Sequence, residues 1–140
     1  MTYNKPLPKP TALSKPFWEG TKRHELLIQK CAQCDALRWT PQWACRKCYS
    51  VDYAWVAMSG RGKVYTHTTI YRPQVPEFMN DVPYSVAVVE LEEGPRMLTS
   101  ITSCEPKDLS VDMPVEVVFV DASDEITLYK FRPSSKKAPQ

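Results

Sequence analysis

The hydrophobic pattern of the chain changes at about Gly60. Beyond it, Val64, Thr66, Thr68 and Ile70 fall on one face of a strand, and Tyr65, His67, Thr69 and Tyr71 fall on the other. This is the two-residue period of a half-buried strand. PYSVAVVEL (83–91) and PRMLTSITS (95–103) follow, joined by the tight Glu92-Glu93-Gly94 turn of a hairpin. EPKDLSVDM (105–113) is a polar connector with the composition of a turn or one helical turn. VEVVFVDA (115–122) and ITLYKF (126–131) form a second hairpin across Ser123-Asp124-Glu125. Five strands with a long link between the third and fourth give the strand plan of an OB-type barrel.

Before Gly60 the pattern is shorter and more broken. Ser14, as an N-cap, followed by PFWEGTKR, predicts one short helix that Gly20 weakens. Glu25–Lys30 predicts a short strand, and two cysteine pairs follow it. The expected organisation is an extended Pro/Lys-rich arm at 1–15, a short helix and zinc ribbon at 16–59, a five-stranded barrel at 60–133, and a disordered tail at 134–140. The 13 prolines and 4 glycines of this 140-residue chain agree with short strands and turns. They argue against helical bundles, because proline interrupts helices and central strands. No glycine-rich phosphate loop is present, which argues against a doubly wound nucleotide-binding fold.

Hydrophobic residues make up 43% of the chain and charged residues 24%, the balance of a soluble globular protein. No stretch approaches the roughly 20 apolar residues of a membrane helix. MTYNKPLPKP lacks the apolar run of a secretory signal, so the expected location is cytoplasmic and reducing. There, 5 cysteines point to metal or chemistry ahead of disulfides. Cys31-Ala32-Gln33-Cys34 and Cys45-Arg46-Lys47-Cys48 form a CxxC…CxxC pair with ten residues between. Two-residue spacing lets both sulfurs of a tight turn face one ion, and two such knuckles supply the four thiolates of a structural zinc site. A redox dithiol is expected beside a strand–helix unit, which is absent from the pattern here. Iron uses the same four ligands. A closed set leaves no position for a catalytic water, so the metal is read as structural and His24 as a surface or helix-end residue.

No GxSxG or HExxH motif is present, and the 2 histidines, His24 and His67, suggest no base. His67, mid-strand between threonines, reads as a satisfied barrel residue. Cys104 has acidic sequence neighbours in Glu105 and Asp108, which disfavour a reactive thiolate. All 4 tryptophans (Trp18, Trp39, Trp43, Trp55) fall in residues 17–59, where most are expected to pack against the ribbon and one or two to face a partner. A zinc ribbon with an OB barrel suits single-stranded nucleic acid, with Tyr65 and Tyr71 as stacking platforms. Charge opposes that alternative. The net +2 arises from basic flanks, while residues 60–133 carry seven basic and twelve acidic side chains, where a nucleic-acid groove is expected to be basic.

The chain resembles the thiolase-associated, acyl-CoA-binding family with a rubredoxin-like zinc ribbon and an OB-fold domain, long catalogued as a domain of unknown function. The resemblance lies in PFWEG (16–20), HELLIQKCAQC (24–34), RWTPQWACRKC (38–48), SGRGKVYTHTTIYR (59–72), VPYSVAVVELEEGPRM (82–97), MPVEVVFVD (113–121) and FRP (131–133). It implies a mostly β fold of short helix, ribbon and barrel, with Cys31, Cys34, Cys45 and Cys48 holding the metal. It also implies a non-catalytic subunit beside a thiolase-like, acyltransferase or aldolase enzyme, sometimes with a hydratase-like partner, helping to hold or admit a coenzyme A thioester. It supplies no motif for the acyl-CoA site. Trp18 for the adenine or pantetheine, and Arg61 and Arg72 for phosphate, are the candidates by chemistry. Packing for Trp18 and turn or surface charge for the arginines are the competing readings.

Overall fold

A computed structural model of the chain describes residues 3–134, so the tail expected at 134–140 lies outside the described residues except for Ser134. Helix α1 spans Lys15–Lys22. Ser14 occupies the N-cap position, but its side chain does not cap the helix. Its hydroxyl instead accepts the Thr11 N–H at 2.9 Å, and the Thr11 hydroxyl accepts the Ser14 N–H at 3.1 Å. The pair closes a turn that steers the chain into Pro16 at the helix start. Gly20 is required by packing, because a Cβ there would lie 2.7 Å from the Leu27 side chain. The residue that weakens the helix in isolation therefore lets it sit against the next strand.

Three strands form the first sheet: β1 (Leu27–Cys31), β2 (Leu37–Arg38) and β3 (Tyr53–Ala57), in the antiparallel order β2-β1-β3. The central β1 is buried on both faces apart from Lys30. The expected strand at Glu25–Lys30 is thus shifted towards the first cysteine, and β3 was not anticipated. The second sheet is a closed barrel of β4 (Arg61–Ile70), β5 (Tyr84–Leu91), β6 (Arg96–Ile101), β7 (Pro114–Asp121) and β8 (Thr127–Pro133), in the order β4-β5-β6-β8-β7. β7 returns to pair with β4, and the one parallel contact joins β6 to β8 at Ile101 and Phe131. Closure leaves no free sheet edge. Ser85, Ala87, Val89 and Leu91 of β5 alternate inward, as the sequence pattern requires.

β4 departs from that pattern. The register against β5 slips between Val64 and Thr66, the mark of a bulge. Val64 is buried, Tyr65 and Thr66 are both exposed, and His67 and Thr69 then turn towards the interior while Thr68 faces out. The uninterrupted alternation expected for residues 64–71 is therefore wrong beyond Tyr65. One extra residue exchanges the two faces. His67 is half-buried, and its ring has no hydrogen-bond partner among the described residues, so it is not the satisfied histidine anticipated.

One apolar cluster spans both sheets. Phe17, Leu26 and Ile28 join Val64, Val89, Met97 and Phe131, with Trp18, Trp39 and Trp55 packed against them. The Phe17 ring lies 4.5 Å from Trp39 and 5.5 Å from Tyr129. Burying a side chain of that size contributes about 1.5–3 kcal/mol, so Phe17 fastens helix, ribbon and barrel together.

Candidate functional site

The four ribbon cysteines stand on two turns built alike. In the first, Cys31 N–H donates to Ala36 O and Asp35 N–H donates to Cys31 O, at 2.9 and 3.0 Å. In the second, Cys45 N–H donates to Ser50 O and Tyr49 N–H donates to Cys45 O, each at 2.9 Å. The residue after each CxxC, Asp35 or Tyr49, has positive φ, 63° and 64°. That left-handed step folds the second sulfur of each pair back beside the first. Asp tolerates the conformation well, whereas Tyr rarely adopts it, so its occurrence at Tyr49 points to a site that over-determines the backbone.

The sulfurs converge. Cys31 and Cys48 Sγ are 3.5 Å apart, Cys34 and Cys45 Sγ are 3.6 Å apart, and all four lie within 4.8 Å of one another. A tetrahedron with zinc–sulfur bonds of ~2.3 Å has edges of about 3.8 Å, whereas a disulfide needs ~2.05 Å. The set fits a structural zinc ion. Backbone N–H groups of Cys34 and Gln33 lower the Cys31 thiol below its ordinary range. Those of Cys48 and Lys47 bring Cys45 down to about 6. These donors favour thiolates at Cys31 and Cys45, whereas at Cys34 and Cys48 the Ala36 and Ser50 N–H groups are outweighed by burial and the crowded neighbouring thiols, which push Cys34 up and Cys48 to about 12. Four thiolates together therefore need a cation between them.

Gln29, fully buried in β1, holds the loop between the knuckles. Its Oε1 accepts from Arg38 Nε and from Gln42 N–H, both at 2.8 Å, and Arg38 donates onward to Gln42 O at 2.9 Å. The Arg38 guanidinium also lies 5.0 Å from the Tyr53 ring centre. This buried hub was not foreseen. A glutamine in an apolar strand, nine residues before an arginine in a tryptophan-rich loop, carries no distinctive signal.

Of the tryptophans, Trp18, Trp39 and Trp55 are half-buried against the core, while Trp43 is 61% exposed. Tyr49 and Val51 are exposed too, and all three flank the second knuckle. The candidates Trp18, Arg61 and Arg72 are not brought together. Trp18 packs beside Phe17 and Tyr129 at the helix–barrel junction. Arg61 begins β4 and is held by Glu92 at 3.1 Å, while Arg72 follows the far end of the same strand and is exposed. At ~3.3 Å per residue the two arginines cannot share one phosphate.

His24 is exposed at the helix end, stacked on Phe119, with Nε2 3.2 Å from Asp121 Oδ1. Burial first, then the Asp108 and Glu105 carboxylates, push the Cys104 thiol up, away from thiolate character. The Arg96 guanidinium covers the exposed Tyr65 ring at 3.8 Å, and barrel cations pair with acids in Lys63–Glu90, Arg96–Glu90 and Arg132–Glu116. No helix among the described residues is long and apolar enough to cross a membrane.

Comparison with known proteins agrees with this architecture. Residues 18–53 match the family described as the ChsH2 rubredoxin-like zinc ribbon domain, and residues 55–120 match the ChsH2 C-terminal OB-fold domain. The chain belongs to the ChsH2 family. It is 34% identical over 125 residues to a DUF35 domain-containing scaffold protein of Methanocaldococcus jannaschii, covering 83% of this chain and 87% of that one. It is 40% identical over 119 residues to the probable enoyl-CoA hydratase alpha subunit of Thermomonospora curvata, covering 84% of this chain. It spans only 37% of that relative's length. Among solved structures, a chain of the Ltp2-ChsH2(DUF35) aldolase is similar with a TM-score of 0.83 and 36% identity, covering 91% of this chain and 98% of that one.

Proposed function

We propose that this ChsH2-family chain is a non-catalytic, cytoplasmic accessory subunit of an enzyme that processes acyl-CoA thioesters. Its partner is a thiolase-like, acyltransferase or aldolase subunit, with a hydratase-like subunit in some assemblies. The chain helps hold or admit the thioester, and the partner supplies the reacting groups. The observation that carries this reading is the end-to-end likeness to a chain of the Ltp2-ChsH2(DUF35) aldolase. The site chemistry agrees with it. Four thiolates would complete the coordination of a metal held there, and the Cys104 thiol is pushed up, away from thiolate character, so neither offers an open Lewis acid or a ready nucleophile.

The ribbon also presents a surface suited to docking. Trp43, Tyr49 and Val51 are exposed around a knuckle whose backbone the metal would make rigid. Rigid aromatics lose little entropy on binding, and tryptophan is enriched at interface hot spots. The test is purification of the tagged chain from its own cells, with bound proteins identified by mass spectrometry. A thiolase-like, acyltransferase, aldolase or hydratase-like subunit in fixed stoichiometry is expected, and Trp43→Ala should weaken that complex by about 2 kcal/mol or more with zinc content unchanged. A chain that remains alone at physiological concentration would overturn the reading.

A further inference from the structure

Where the N-terminal arm crosses the barrel wall lies a groove of about 400 Å³, bordered by β5, β6 and β8. That volume falls within the ~300–1,000 Å³ of small-molecule sites. OB barrels commonly bind ligands on their second and third strands and the loop after the first, and β5, β6 and the loop containing Phe78 are those elements here.

The walls are aromatic and the floor cationic. The Phe78 and Tyr84 rings lie 6.0 Å apart, and Tyr3 enters from the arm. The Lys5 ammonium sits 5.3 Å from the Tyr3 ring centre, 5.8 Å from that of Phe78, and 2.6 Å from an Asp81 carboxylate oxygen. Lys130 of β8 is half-buried and makes no ion pair or hydrogen bond among the described residues. Burial first, and then the charge of Lys5, lower its pKa from the ordinary lysine value, against a smaller opposing pull from Asp81. The groove therefore holds two ammoniums and one carboxylate, and that carboxylate is in contact with Lys5, which leaves Lys130 a partly desolvated cation with no anion in contact among the described residues. A group in that state favours an anion beside it.

We propose that this groove receives the phosphoadenosine end of coenzyme A, with Lys130 and Lys5 facing the 3′-phosphate and the adenine stacked on the aromatic side formed by Phe78, Tyr84 and Tyr3. This rests on the acyl-CoA reading above and moves the ligand contacts away from Trp18, Arg61 and Arg72. A dianionic phosphate matches two ammoniums of which one is already half-satisfied by Asp81, and a purine can stack on a face of the aromatic pair, whose own ring centres lie 6.0 Å apart with a 37° tilt.

The test is isothermal titration of the purified full chain with coenzyme A and with dephospho-coenzyme A, which lacks the 3′-phosphate. Coenzyme A should bind about tenfold or more tightly than dephospho-coenzyme A. Lys130→Gln should remove that preference, Lys130→Arg should keep most of it, and Lys107→Gln, at an exposed lysine beside Glu105, should not alter it. The comparison of the two ligands needs no variant, so a misfolded Lys130→Gln chain would not spare the proposal. Equal affinity for the two ligands, no binding of coenzyme A at about 1 mM, or an undiminished preference in a folded Lys130→Gln chain would overturn it. If the groove fails while the chain still assembles with and stimulates its partner, the accessory reading stands. If the groove binds coenzyme A and no partner exists, the accessory reading falls instead.

Discussion

The ribbon and the barrel are two β-structures held together by different means. Between residues 32 and 52 the only buried residue is Cys45, and the ribbon's strands are five, two and five residues long. Such a segment buries too little apolar surface to offset its conformational entropy, so a bound metal ion is what would organise it. The barrel instead encloses an alternating set that includes Val89, Leu91, Met97 and Phe131. The difference is one of surface economy. A ribbon held by four sulfurs leaves Trp43, Tyr49 and Val51 facing outward with almost nothing buried beneath them, whereas the barrel exposes Tyr65, Tyr71 and Leu98 around an interior filled by Val89, Leu91, Met97 and Phe131.

Losing the metal should have the largest effect, because structural zinc contributes ~10–16 kcal/mol in small zinc domains. In Cys31→Ser/Cys34→Ser protein, hydrogen exchange should show protection lost across residues 32–52 and retained in β4 to β8. Equal loss in the barrel would show that the two regions share one stabilising element. Phe131→Ala should rank next, since its side chain is fully buried and a cavity of that size costs about 3–5 kcal/mol. Denaturant titration should register that loss while the purified variant keeps its zinc.

The smallest effect belongs to the His24–Asp121 contact between the two regions. The Thr127 hydroxyl first, and His24 second, hold the Asp121 carboxyl below its usual range. A depressed carboxyl stabilises the fold above its unfolded value near ~4 and loses that contribution as pH falls through the folded value. The difference in melting temperature between wild type and Asp121→Asn should therefore be present at pH 7 and vanish in acid. Taking the difference cancels acid loss of the metal, which both chains share. A difference that persists in strong acid would show that the contact does not depend on charge.

Most of the barrel was legible because β5 and β6 lie in regular two-residue register, with Ser85, Ala87 and Val89 pointing inward. β4 misled for a physical reason. A bulge at Tyr65 leaves no composition signal, and Tyr65 and Thr66 are both ordinary strand residues. The convergence of the four cysteines was legible from spacing, since CxxC can direct two sulfurs to one point. The left-handed Tyr49 was not, because tyrosine gives no sign of a positive φ, and the Gln29 hub was not, because it is defined by partners in another segment. The groove under the arm was hidden for the latter reason. Lys5, the Phe78–Asp81 turn and Lys130 are far apart in sequence and meet only when the barrel closes under the arm.

On the proposed function, this chain completes an enzyme whose reacting groups lie elsewhere. That role is tested most directly by assaying the copurified partner on acyl-CoA thioesters with and without the zinc-loaded chain. No turnover by the chain alone, little by the partner alone, and a gain of about tenfold or more, about 1.4 kcal/mol of barrier, when both are present are the expected results. Equal partner activity with and without the chain, and no shared peak on size-exclusion chromatography, would contradict it.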